Sequence, residues 1–126
     1  MAWIETIPWD DAEGDLRAAY DWQARSLGEP AEFTMLGSLY PAIAEERLRL
    51  YRAVEGCPSG LSQIERQSAA LVASTINSTA HCASGLRLKL ASLGLSEDVL
   101  DSIDDDPHGV DSGDERFDEI CAHAAK

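Results

Sequence analysis

Three features of this sequence predict an all-α fold. Alanine and leucine dominate its apolar content, and aromatic residues make up only 6% of a chain that is 44% hydrophobic; strands draw more on β-branched and aromatic side chains. Apolar residues recur at helical spacing along several segments. Residues that start and stop helices bracket those segments. At 126 residues the chain reads as one domain, 1–126, large enough to bury a real core.

The first predicted helix lies in "DDAEGDLRAAYDWQARSLG". Asp10 is its expected cap, Glu13 its third position, and Leu16, Ala19, Tyr20 and Gln23 recur at helical spacing. Gly28 and Pro30 close it. A short helix is expected in "AEFTMLGSLY". Pro41 suits the first turn of the next helix, whose periodic face is Ile43, Leu48, Tyr51 and Val54, with Gly56 as the stop.

"CPSG" reads as a turn. Ser62 and Glu65 then form a reciprocal capping box ahead of a stripe of Ile64, Ser68, Leu71, Val72, Thr75, Ile76 and Thr79. A further helical pattern covers residues 80–92, with Ala83, Leu86, Leu90 and Leu93 on one side and Gly94 at its end. Asn77, Ser78 and Thr79 weaken any continuous helix through this region, and periodicity alone leaves a break there open. Ser96 is a candidate cap for a helix holding Val99, Leu100 and Ile103. The polar loop "DDDPHGVDSGD" follows, and Ser112 with Glu115 repeats the capping-box pattern before Phe117, Ile120, Cys121 and Ala124. That last helix is short for so apolar a face, which points to a covering surface on another subunit. Trp3, Trp9 and Trp22 are read as packing anchors.

The net charge of −13 is unevenly distributed. Residues 1–32 carry eight acids and two bases, residues 33–93 four and six, and residues 94–126 eleven and two. Such a balance repels phosphate backbones and argues against nucleic-acid binding. No segment approaches the roughly 20 apolar residues of a membrane span, and Met1 to Trp9 lacks the basic and apolar regions of a signal peptide. A soluble, cytoplasmic protein is expected, without a membrane partner. Cys57, Cys82 and Cys121 are odd in number and widely spread, so reduced thiols are expected rather than a disulfide framework. The count alone leaves a Cys57–Cys82 bridge open. His108 among the loop carboxylates shows no specific ligand spacing, and neither a metal nor any other cofactor is expected.

The segment "STAHC", residues 78–82, poses the chemical question. A dithiol redox centre needs two cysteines about one helical turn apart: a thiolate attacks, and a second thiol resolves the oxidised product. Glu and His side chains commonly move the protons. Cys82 has His81 just before it, but Thr79 stands three residues back, where the second sulfur would be.

Through "DAEGDLRAAYDW", "SLYPAIAEERLRLYRAV" and above all "LSQIERQSAALVASTINSTAHCASGLRLKLASLGLSEDVL", the chain resembles the alkylhydroperoxidase AhpD-like and carboxymuconolactone decarboxylase-like superfamily, in its small peroxidase-related branch. The closing "DERFDEICAHAAK" looks like the beginning of that family's next helix. The family pattern is a Glu, a CxxC, and a His four residues after the second Cys. In this chain those positions fall at Gln67, Thr79, Cys82 and Leu86, and the place of an additional His in some relatives at Gly85. One of the four usual groups survives. The resemblance implies a small all-α AhpD-like domain whose antiparallel helices are completed by oligomer packing.

The expected function is therefore that of a catalytically degenerate member with a structural or regulatory role in an oligomer. The partner is a second copy (in a dimer, trimer or hexamer) or an intact paralogue. One alternative is a one-cysteine hydroperoxide reductase or thiol-disulfide oxidoreductase using Cys82, with His81 beside it. Adjacent helical side chains diverge by about 100°, so His81 needs more than adjacency to act on the thiol. The other alternative is a small-molecule binding module with Thr79 and Gln67 as polar edge and Leu86 as apolar wall. Decarboxylase activity is disfavoured, because the central helix shows no His, Arg or carboxylate cluster. Cys82 itself reads either as a reactive thiol or as an ordinary small hydrophobe, and Cys121 as core or interface.

Overall fold

The computed structural model of the chain describes residues 4–126, and Trp3 lies outside them. Among the described residues there are seven α-helices and no strand: α1 (Gly14–Leu27), α2 (Glu32–Met35), α3 (Pro41–Gly56), α4 (Gln63–Ile76), α5 (Ala80–Ser92), α6 (Glu97–Asp105) and α7 (Glu115–Ala124). The all-α prediction holds. The chain separates into two compact units, the first ending at Cys57 and the second beginning at Pro58.

In the first unit α1 packs against α3. The core is small: Ala12, Leu16, Tyr20 and Ala44 are buried, with Ile7, Trp9 and Met35 against them. Polar anchors stitch the N-terminal stretch to it. The Tyr20 hydroxyl donates to the Ile7 carbonyl (3.0 Å), and the Ile7 N–H donates to the buried Ser38 hydroxyl (2.8 Å). Trp9 is an anchor as read from the sequence, and its indole N–H donates to Asp21 at 2.8 Å. Arg52 lies over the Trp22 ring at 4.3 Å.

Two expectations for this unit are corrected. Asp10 does not cap α1; Trp9–Asp11 is a short 3-10 turn, and Glu13 occupies the cap position. The reason is Gly14. Its φ of +54° is a left-handed conformation suited to glycine, and it turns the chain into the helix only at that point. The second correction concerns α3. The helix forms with Pro41 in its first turn, but Ile43, Tyr51 and Val54 of the predicted face are exposed, and Ala44 is the residue buried against the core.

In the second unit α4 is central and packs on α5, α6 and α7. Leu71, Val72, Leu90, Leu100, Ile103, Phe117 and Cys121 form one buried cluster, flanked by half-buried Ile64, Ala83, Leu86, Val99 and Ala124. The α4 capping box is present as read: the Glu65 N–H donates to the Ser62 hydroxyl (3.2 Å), and the Ser62 N–H to the Glu65 carboxylate. Gly94, at φ +95°, closes α5 as expected.

The end of the chain differs from expectation in two ways. Asp114, not Ser112, caps α7 by accepting from the Arg116 and Phe117 N–H groups. Ser112 instead donates its hydroxyl to Asp118 (2.6 Å), in the first turn of α7. Nor does the apolar face of α7 wait for another subunit; Phe117 and Cys121 are buried against α4 within the same unit.

Arg116 ties the start of α7 to the start of α4. Its guanidinium donates to Glu65 (2.7 Å) and to the Gly60 carbonyl (2.7 Å). Arg116, and then the Ser62 N–H, hold the Glu65 carboxyl below its usual range. A depressed carboxyl stabilises the fold above its unfolded-state pKa and loses that contribution as pH falls through the folded-state value. Urea midpoints measured from pH 7 down to pH 3 should therefore fall more steeply in the wild type than in Arg116→Gln.

Candidate functional site at the α4–α5 junction

Thr79, His81 and Cys82 lie where α4 ends and α5 begins. Asn77 terminates α4, and Ser78 takes a left-handed φ of +54°. That resolves the question of continuity in favour of a break. Thr79 then occupies the cap position of α5 without capping it. Its backbone N–H and its side-chain hydroxyl both donate to the Ser74 carbonyl, at 2.9 Å each. The Thr79 hydroxyl thus closes off the end of α4, whose last carbonyls lack helical partners.

His81 and Cys82 are the second and third residues of α5, and both are exposed. The fold brings no protein group onto either side chain by hydrogen bond or ion pair among the described residues; the His81 backbone carbonyl accepts from the Ser84 hydroxyl (3.0 Å). Gln67 is buried on α4 at 8% exposure, and Leu86 packs half-buried against the core cluster. The four positions therefore split. Thr79 and Cys82 share the exposed helix junction, whereas Gln67 and Leu86 belong to the interior.

The three thiols are free. Cys57 and Cys82 are exposed, while Cys121 is fully buried and its thiol is pushed up to about 11, by burial first and then by the Asp118 carboxylate. A thiol that is both inaccessible and protonated is inert. Iodoacetamide at pH 8 should accordingly label two sites in the native chain, and the third only after denaturation, as counted by intact mass.

Two grooves lie elsewhere, in the first unit. The larger, about 480 Å³ and open to solvent, is lined by Asp15, Ala18, Ala19, Trp22, Arg25, Glu45 and Arg49. The other runs along Glu29, Pro30, Ala31, Glu32 and Met35. Thr79, Gln67 and Leu86 line neither. Sequence reading missed the larger groove, although the Glu45–Arg49 pair at i, i+4 (2.6 Å) marks one of its walls. Among the described residues no group of three or more His, Cys, Asp or Glu side chains is placed to hold a metal ion, His108 included, and no helix is long and apolar enough to cross a membrane.

The fold and site define an all-α protein carrying one exposed thiol in the first turn of a helix. No family model matches the chain, and no curated protein or solved structure matches it.

Proposed function

We propose that this chain is a structural or regulatory subunit of an oligomer, an AhpD-like protein that has lost the dithiol peroxidase cycle. One observation carries the proposal: the Thr79 hydroxyl, at the position of the second sulfur, is bound to the Ser74 carbonyl at the end of α4. The flanking positions support it. Gln67 has no carboxylate to exchange a proton, and Leu86 contributes apolar surface to the core. Without a resolving thiol and a proton relay, an oxidised Cys82 has no route back within its own chain.

The one-cysteine reading is favoured by a different observation, the exposure of Cys82 in the first turn of α5, where a helix N-terminus stabilises a thiolate. In that scheme the thiolate takes one oxygen from a hydroperoxide, releasing an alcohol or water and leaving a sulfenic acid. Two equivalents of an external thiol then reduce it, giving a disulfide and water.

Peroxide consumption separates the two. With a hydroperoxide and excess dithiol, the subunit reading predicts a rate equal to the protein-free blank and unchanged in Cys82→Ser. Turnover that Cys82→Ser abolishes, with the helical signal intact, establishes the one-cysteine enzyme instead.

A further inference from the structure

The outer face of α3 is an apolar surface that its own unit leaves uncovered. At 3.6 residues per turn, Leu50, Ile43, Val54, Arg47 and Tyr51 fall within a sector about 100° wide. Ala44, just beyond Tyr51 at the edge of that sector, is where the helix turns into the core with Leu16 and Tyr20. Leu50 is 63% exposed, and Tyr40, at the N-terminal cap of α3, is 68% exposed. Phe33 extends the stripe through Arg47, whose guanidinium sits 4.0 Å from the Phe33 ring and 5.0 Å from the Tyr51 ring.

Phe33, Tyr40, Ile43, Leu50, Tyr51 and Val54 are each between 49% and 68% exposed, and a concentration of exposed apolar side chains marks an interaction surface.

We propose that this face pairs with the same face of a second copy of the chain. The interface is isologous, with the two α3 helices antiparallel and crossing near Arg47. The inference rests on the reading of the chain as an oligomer-forming subunit and supplies that oligomer's contact surface.

Three observations select a second copy as the occupant. The first is complementarity: among the described residues 58–126, Ile76 and Leu88 are the only large apolar side chains exposed. An apolar surface of matching extent exists on the same segment of another copy. The second is charge. Two chains of net charge −13 repel each other, but residues 33–57 carry three acids and three bases, so this surface lets them approach. The third is spacing. Ile43 and Tyr51 lie four residues either side of Arg47, and Tyr40 and Val54 seven either side. A two-fold axis at Arg47 sets Ile43 opposite Tyr51 of the second copy, and Tyr40 opposite Val54. Arg47 itself sits over two rings and donates to the Thr34 hydroxyl (3.0 Å). It enters such an interface held by two rings and a hydroxyl rather than as a projecting charge.

Sedimentation equilibrium of the full chain, at tens of micromolar and physiological salt, is the test. The wild type should run at twice its 13.6 kDa. Ile43→Glu, Leu50→Lys and Tyr51→Lys should each run at the monomer mass with unchanged helical dichroism, since all three side chains are already exposed. A one-to-one mixture of Ile43→Glu and Tyr51→Lys should recover the dimer that neither forms alone. A monomeric wild type, or a dimer that survives all three substitutions, overturns the proposal. Peroxide consumption in the same samples reports on the proposed function separately. A dimer that turns over peroxide removes the non-catalytic reading and leaves the interface standing. A monomer that does not turn over peroxide removes the interface alone.

Discussion

Leu71→Ala should destabilise the α4–α7 unit by about 3–5 kcal/mol. Leu71 has no solvent exposure and lies in the cluster formed by α4, α5, α6 and α7. Truncation removes three carbons from the helix that touches every other helix of the unit, so no single neighbour can move in to close the cavity without leaving another contact. A unit of 69 residues commonly has a total stability of only about 3–10 kcal/mol, so the variant should sit near its unfolding midpoint at room temperature. Native-state amide exchange is the measurement of choice because it reads each unit separately. Protection should collapse in residues 63–124 and persist in α1 and α3. Leu88→Ala, at an exposed position on α5, is the control and should change stability by less than about 0.5 kcal/mol.

Cys121→Asp should be at least as damaging, and with a distinctive pH dependence. The position is fully buried, and burial already pushes the native thiol up to about 11. A carboxyl placed there is driven toward its neutral form, so its folded-state pKa lies above its unfolded-state value. The unfolded state then ionises first, and stability falls as pH rises from about 4 through the folded-state pKa. Near neutral pH the loss should reach several kcal/mol. Cys121→Ala removes the sulfur without adding a charge, and should cost about 1 kcal/mol with no such pH slope. Urea unfolding of both variants at pH 4.5 and pH 7.5 separates the charge effect from the packing effect.

The helices were legible because their determinants are local. Ser62 and Glu65 sit three residues apart and satisfy each other's backbone partners, whatever the rest of the chain does. The same logic misfired at Asp10 and Ser112, where a nearby residue with a stronger claim took the role: Gly14 through its left-handed backbone, and Asp114 through a carboxylate next to the first N–H groups. Periodicity also showed that α3 has an apolar face, but not what covers it. Spacing is a property of one helix, whereas burial needs a second surface. Ala44, absent from the predicted face, is the residue that touches the core.

The candidate site was legible as a set of residue types and not as a geometry. The sequence places Thr79 three residues before Cys82, and that alone removes a resolving thiol. It does not reveal that the Thr79 hydroxyl turns back to Ser74, since this depends on Ser78 adopting a left-handed φ where glycine is more usual. Nor does it reveal that Gln67 and Leu86 face inward while His81 and Cys82 face solvent. These are consequences of how α5 rotates against α4, a packing angle that no short motif encodes.

On the proposed reading Cys82 has no side chain placed to activate it, and only its position in the first turn of α5 sets it apart from any other exposed thiol. Cys57 supplies an internal reference, because it is free and exposed in the same molecule. Intact and peptide mass spectrometry after a brief, substoichiometric dose of hydrogen peroxide measures the comparison directly. Sulfenic acid should form at Cys57 and Cys82 at rates within a few-fold of each other, and not at Cys121. Oxidation of Cys82 a hundredfold faster than Cys57, lost when His81 is replaced by Ala, would contradict that reading.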